Sequence, residues 1–151
     1  MKRDTIVDVI TYLLILLFVY TAATKLLLFG SFKVQMTQQP LPRVFVPVLI
    51  IGIPLIEILI ACCLLIPRLK KTGLFASLFL MSAFTIYVGY MLVSVPHHSL
   101  PCSCGGIIKQ MTWKQHLFFN LFYTLLAFTG VLLSSKWFQA KRDDLQEVKY
   151  T

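Results

Sequence analysis

The stretch from Val44 to Ile66 reads VFVPVLIIGIPLIEILIACCLLI, and Glu57 is the one charged residue among its 23 positions. About 20 apolar residues in a helix cross the roughly 30 Å hydrocarbon layer of a bilayer. Similar runs cover 6–29, 72–95 and 115–135, and the four together account for 92 of the 151 residues. Asp8 and Lys25 add the remaining formal charges inside these runs. The sequence therefore predicts an all-α bundle of four transmembrane helices.

The composition excludes a water-soluble globular protein. The chain is 58% hydrophobic and 13% charged, against about 45–50% and 25% in an average soluble domain. The connections 30–43, 67–71 and 96–114 are too short for a separate soluble domain, so we expect one membrane domain over 1–151. The basic start of the first run is also typical of a signal peptide, but its 24 residues exceed the usual apolar core of about 7–15. We expect it to be retained as a span.

The distribution of basic residues predicts the orientation. Nine of the 14 lysines and arginines lie on the side of the two termini and the 67–71 turn, and five lie on the other side. Under the positive-inside rule both termini are cytoplasmic, with 136–151 as a cytoplasmic tail and 96–112 as a periplasmic loop of a bacterial inner-membrane protein. The formal charge of +8 is then used to anchor the chain in the lipid bilayer. No nucleic-acid partner is expected.

The loop 96–112 carries the most informative motif, Pro101-Cys102-Ser103-Cys104-Gly105-Gly106. On the oxidising side of the membrane, thiols pair or exchange disulfides. A disulfide across one intervening residue is geometrically tight, and strained exposed disulfides tend to be exchangeable. The motif therefore favours redox exchange. Two alternatives stay open: a loop staple or pairing with a partner protein, and a copper or zinc site with nearby histidines. Those histidines are His97, His98 and His116.

Three residues at the start of the fourth run share one helix face. Trp113, His116 and Asn120 stand at i, i+3 and i+7. Trp113 is also explained by the aromatic belt at a membrane interface. His116 and Asn120 should face the bundle interior, since polar side chains inside a span hydrogen-bond there. Either they join helices, or His116 serves the nearby cysteine pair by accepting a thiol proton.

Charged residues and thiols inside the bundle need separate explanations. Glu57 lies mid-membrane and should be paired or protonated, and Lys25 can reach toward it from the first span. Such a contact either locks two helices together or belongs to a proton path or polar ligand site.

Cys62 and Cys63 lie about 27 Å below the outer end of their helix, at 1.5 Å per residue. We therefore expect them to be free, buried thiols that act as small apolar residues.

The sequence resembles the MauE and DoxX-type family of redox-associated integral membrane proteins, small four-helix proteins known from bacteria, including Bacteroidetes. The resemblance covers nearly the whole chain. It rests on Lys25, on Glu57 with the Leu-Leu-Ile-Pro that ends at Pro67, and on the Cys102-Ser103-Cys104-Gly105-Gly106 motif ahead of Trp113, His116 and Asn120.

This family is similar in architecture to four-helix, quinone-linked enzymes that form disulfides, which implies that Cys102 and Cys104 handle disulfides for an exported partner. Those enzymes also carry a second cysteine pair, whereas this chain has one outer pair, so a relay to a separate thioredoxin-like protein is expected. Cys102, Cys104 and His116 are the candidate catalytic residues. No cofactor is certain, and quinone binding between the helices is left open. The alternative is a non-enzymatic subunit or assembly factor of a membrane complex.

Overall fold

The computed structural model describes the backbone of residues 3–94 and 113–150 and the side chains of residues 5–94 and 114–135. Within these ranges every regular element is a helix. The helices are α1 (Arg3–Leu27), α2 (Phe29–Thr37), α3 (Val46–Leu65), α4 (Lys70–Ser94) and α5 (Trp113–Tyr150). Four segments are long and apolar enough to cross a membrane: Thr5–Leu27, Val46–Leu65, Lys70–Ser94 and Lys114–Ser135. The prediction of an all-α bundle with four spans is confirmed.

The boundaries of α3 follow from its prolines. Pro47 stands in the first turn, where its missing N–H costs no helical hydrogen bond. The helix ends at Leu65, and Ile66 is extended with ψ 117°, because a residue that precedes a proline is pushed out of the helical region. Pro54 lies inside the helix, and neighbouring helices make such a residue tolerable in a membrane bundle.

Each spanning helix packs against two neighbours, in the ring order α1, α3, α4, α5 and back to α1. The helices α1 and α4, which face each other diagonally, make little contact. Consecutive spans run in opposite directions, so every adjacent pair in the ring is antiparallel. One end of the bundle therefore gathers the end of α1, the start of α3, the end of α4 and the start of α5. We call this the loop end, because the 95–112 connection joins α4 to α5 there.

The opposite half of the bundle is apolar and closely packed. Leu14, Leu64, Leu74 and Ala127 have at most 1% of their surface exposed. A Cβ on Gly73 would lie 2.9 Å from a side-chain carbon of Leu64 and 3.0 Å from its backbone nitrogen. Small residues at such positions let membrane helices approach closely. Large apolar side chains cover the outside of the bundle, as a lipid-facing surface requires.

One helical segment differs from the expectations. The connection 30–43 contains most of α2, whose Phe32 and Met36 are buried against Val46 and Ile50 of α3. The apolar residues of α2 are too few to span a bilayer, so hydropathy alone predicted only a loop. At the other end of the chain, α5 continues to Tyr150, beyond the end of its apolar part.

Candidate functional site: a polar cavity between the spanning helices

The candidate site is a cavity of about 30 Å³ between all four spanning helices. Its polar lining comes from α1, α3 and α5. Apolar side chains of α1, α4 and α5 complete the walls. The polar residues that line it are Thr21, Lys25, Glu57, His116 and Asn120, and the apolar ones are Leu17, Phe18, Met81, Phe84 and Phe119.

Lys25 and Glu57 form a buried ion pair beside this cavity. The Lys25 Nζ lies 2.5 Å from Oε1 of Glu57, and their side chains are 5% and 1% exposed. The ammonium group also lies 5.9 Å from the ring centroid of Phe32 and 5.8 Å from that of Phe84. Aromatic faces attract a cation at such distances. The pair therefore joins α1 to α3, and rings of α2 and α4 surround its positive partner.

The second acidic oxygen of the pair has no protein partner among the described residues. Oε2 of Glu57 is buried and accepts no hydrogen bond from any residue that the structure describes. The Thr21 hydroxyl, which also lines the cavity, donates to the backbone carbonyl of Phe18 at 3.3 Å. A buried carboxylate oxygen without a donor is energetically costly. This oxygen is one of several buried polar atoms at the cavity that have no hydrogen-bond partner among the described residues.

His116 and Asn120 lie one turn apart on α5, and both are buried, with 1% and 5% of their surfaces exposed. Neither ring nitrogen of His116 has a hydrogen-bond partner within the described ranges, and the same holds for Nδ2 of Asn120. Buried polar groups are almost always hydrogen-bonded. An imidazole that lines a small cavity with both nitrogens unsatisfied is therefore typical of a site that takes a water molecule or a ligand.

The site lies toward the loop end of the bundle. Lys25 is in the last turn of α1, and His116 is three residues after the start of α5. Glu57 is deeper, 11 residues into α3, or about 17 Å along a straight helix at 1.5 Å per residue. The polar residues thus extend from the loop end toward the middle of the membrane.

The structure brings together four of the residues singled out from the sequence: Lys25, Glu57, His116 and Asn120. Cys102 and Cys104 lie outside the described residues, as do His97 and His98. The backbone of Trp113 starts α5, but its side chain is outside the described set. In the part of the chain with described side chains, no three His, Cys, Asp or Glu residues are arranged to hold a metal ion.

Cys62 and Cys63 are both free thiols, but the expectation that both are buried was wrong. Cys62 is exposed on the lipid-facing side of α3, and Cys63 is half-buried. The neighbouring residue that faces the core is Ala61, with 2% of its surface exposed. Because α3 is apolar almost all round, its sequence has no polar stripe to show which face meets lipid.

Sequence reasoning missed the aromatic and sulfur-containing walls of the cavity. Phe84 and Met81 lie three residues apart on α4 and face the polar cluster. Nothing distinguishes them in the sequence from other apolar residues of that span. Their position depends on how α4 is rotated in the bundle.

No curated protein and no solved structure matches the chain. A family model described as methylamine utilisation protein MauE matches residues 3–133, which include all four spans and every residue of the cavity. The match concerns MauE, and the wider DoxX-type likeness stays a prediction. The chain is a multi-pass membrane protein that belongs to the MauE family.

Proposed function

We propose that the protein exchanges electrons with an exported thiol protein through Cys102 and Cys104, and that His116 is the nearby proton acceptor. The observation that carries this proposal is the buried imidazole of His116, which lines a cavity and has neither nitrogen hydrogen-bonded to a described residue. It lies at the end of the bundle to which the CxC segment is attached. A histidine close to a cysteine pair favours the thiolate, which is the form that attacks a disulfide.

The exchange is balanced without a further reactant. A thiolate of the partner attacks the Cys102–Cys104 disulfide and forms a mixed disulfide, and one cysteine of the pair leaves as a thiolate. The second partner thiol loses its proton and resolves the mixed disulfide. The partner is then oxidised to a disulfide and the CxC pair is reduced to two thiols. In the opposite direction the pair reduces the partner, and the relative reduction potentials decide which direction prevails.

Chain length is compatible with this role for His116. Eight residues, 105–112, separate Cys104 from the start of α5, and an extended chain of that length spans up to about 26–29 Å. His116 lies within the first turn of α5. Cys62 and Cys63 are 16 and 17 residues into α3, about 25 Å along a straight helix, so they are unsuited as a second redox pair for the loop.

The family description suggests the setting. We infer that the partner belongs to methylamine utilisation, because the matching family model carries that description. A thioredoxin-like protein that receives or donates the disulfide fits the one-pair loop better than direct oxidation by a cofactor. The orientation with both termini cytoplasmic and the 96–112 loop periplasmic is part of this proposal.

Trapping in intact cells tests the proposal. The variants Cys102→Ser and Cys104→Ser are made separately in a background in which Cys62 and Cys63 are serine, so that any mixed disulfide reports on the loop. One single variant should accumulate a covalent complex with an exported protein that disappears on reduction, and this would identify the attacking thiol. Absence of any complex in both variants, together with an unchanged redox state of the pair under oxidant and reductant, would refute the exchange.

The role of His116 is tested in the same assay. His116→Gln should slow formation of the trapped complex, because the imidazole no longer accepts the thiol proton. His97→Gln, a change in the loop itself, is the matched control and should leave the rate unchanged. Equal rates for both variants would remove His116 from the mechanism while leaving the cysteine exchange intact.

The alternative is a non-enzymatic membrane subunit or assembly factor. The observation that favours it is the Lys25–Glu57 pair, which links α1 to α3 and would serve a purely structural bundle equally well. A stable partner that co-purifies to the same extent with the double variant Cys102→Ser, Cys104→Ser would support this alternative.

A further inference from the structure

The polar atoms around the cavity form a complementary set. Asn120 Nδ2 is a donor, and Oε2 of Glu57 is an acceptor when the carboxylate is ionised in its pair with Lys25. A neutral imidazole supplies one donor and one acceptor. The described residues therefore leave two donors and two acceptors unsatisfied at one place. A water molecule both donates and accepts, so it can satisfy atoms of either kind.

The size of the cavity limits what can fill it. Its volume is about 30 Å³, and a single water needs roughly 10–15 Å³ measured in the same way. One or two water molecules fill this volume. The cavity also meets the second condition for ordered water, which is a lining with several polar partners.

We propose that this cavity is a hydration site in which one or two water molecules connect His116 and Asn120 to Oε2 of Glu57. Glu57 then acts as a positioning residue for His116, because the water link fixes which ring nitrogen carries the proton. The link also gives a proton accepted by the imidazole a hydrogen-bonded route to a carboxylate. The hydration is independent of the function proposed above, and only the use of this proton route rests on it.

Water-edited solid-state NMR in lipid nanodiscs tests the hydration. The chain has three histidines, so the variant His97→Gln, His98→Gln makes His116 the one histidine signal. Magnetisation should pass from water to the ring nitrogens of His116 several-fold faster than to the backbone amide of Ala127, which is fully buried away from the cavity. Equal transfer rates at the two sites would mean a dry cavity and would overturn the proposal.

A cavity-filling variant provides the second measurement. Leu17 lines the cavity and has no polar side-chain atom, so Leu17→Phe adds volume without removing a partner of the polar residues. The water signal at His116 should be lost. Leu132 is exposed on α5, and the matched variant Leu132→Phe should keep the signal. A signal undiminished in Leu17→Phe would contradict the assignment of the water to this cavity.

The link to Glu57 is tested through the histidine spectrum. Because removing Glu57 alone would leave Lys25 unpaired, the double variant Lys25→Met, Glu57→Gln is used. The nitrogen shifts of His116 should change, since the carboxylate at the other end of the water link has lost its charge. The exposed pair of Asp8 and Lys70 is the matched control, and Asp8→Asn, Lys70→Met should leave them unchanged. Unaltered shifts in the first double variant would refute the positioning role.

These outcomes are separate from those of the cysteine trap. A hydrated His116 coupled to Glu57, together with no mixed disulfide, would uphold this inference and refute the redox function. A trapped partner together with a dry cavity would do the reverse.

Discussion

Breaking the Lys25–Glu57 pair should destabilise the protein much more than removing both partners. The two side chains are 5% and 1% exposed, so either charge left alone would be almost fully shielded from solvent. Removing one partner of such a pair typically costs about 3–5 kcal/mol, whereas replacing both with well-packed groups is often close to neutral. We therefore expect Glu57→Gln and Lys25→Met each to lower the free energy of unfolding by about 3–5 kcal/mol.

The double variant Lys25→Met, Glu57→Gln decides between this reasoning and simple loss of contacts. If the cost is that of an unpaired buried charge, the double variant should be more stable than either single variant, and its cost should fall short of the sum of the single costs, about 6–10 kcal/mol, by nearly that whole amount. The assay is reversible unfolding in mixed micelles, followed by helical circular dichroism as the fraction of denaturing detergent rises. A double variant whose loss of unfolding free energy equals the sum of the two single losses would refute the reasoning.

The pair of Asp8 and Lys70 is the internal control for this cycle. Its Lys70 Nζ lies 2.7 Å from Oδ1 of Asp8, but the side chains are 51% exposed for Asp8 and 31% for Lys70. Exposed ion pairs contribute about 0–1 kcal/mol. Asp8→Asn should therefore cost less than about 1 kcal/mol. A cost equal to that of Glu57→Gln would show that burial is not the cause of the effect.

Three further predictions concern helix packing, each measured by the same unfolding assay. Gly73→Ala should destabilise the protein by about 1–3 kcal/mol, since the new Cβ would lie 3.0 Å from the backbone nitrogen of Leu64 on α3. Gly89→Ala is the control and should be neutral or stabilising, because its nearest contact is at 3.8 Å. Equal effects of the two variants would contradict the close packing at Gly73. Thr85→Val should cost about 0.6–1.7 kcal/mol, because the Thr85 hydroxyl lies 2.9 Å from that of Thr124 on α5 and one of the two can donate to the other. No loss would show that both hydroxyls donate to carbonyls of their own helices instead. Tyr87→Phe should cost about 1 kcal/mol, because the Tyr87 hydroxyl donates a 2.8 Å hydrogen bond to Oε1 of Gln39. An unchanged stability would mean that this bond does not hold the α2–α3 connection to α4.

The four spans could be predicted from the sequence because the bilayer imposes one strict condition. Inside it every backbone polar group must be satisfied within the segment, so each span is a long apolar run. The same condition makes Glu57 conspicuous, and the length of the lysine side chain made Lys25 its expected neighbour. The structure places the two in contact. Whether their role is structural or chemical is a question that the unfolding cycle and the histidine spectrum address separately.

The short helix α2 lies outside what hydropathy predicts, although a weaker signal for it exists. Phe29, Phe32 and Met36 stand at i, i+3 and i+7, which is the spacing of one helix face. Two of the three are buried against α3. In a segment of nine residues this pattern is too short to distinguish a helix from a loop that happens to contain apolar residues. The contact with α3, which the apolar spacing within α2 does not reveal, decides that this segment is a helix packed against the bundle.

The shared cavity was beyond sequence reasoning for a different reason. Periodicity places His116 and Asn120 on one face of α5, but it does not say which helix that face meets. The ring order α1, α3, α4, α5 and the rotation of each helix decide that His116 and Glu57 line the same space. In nearly uniform apolar helices these rotations depend on small steric details, such as the close approach at Gly73.

The two halves of the bundle differ in their buried polar groups. Beyond the cavity, on the side of the chain termini, the core is formed by apolar residues such as Leu14, Leu64 and Leu74. The buried hydroxyls of this half, including those of Thr11 and Ser77, donate to carbonyls of their own helices. Among the described residues, the buried polar atoms without a hydrogen-bond partner are thus confined to the cavity and the loop end. The function proposed above requires this one-sided distribution, because a group that assists thiol chemistry in the loop is needed at only one membrane face.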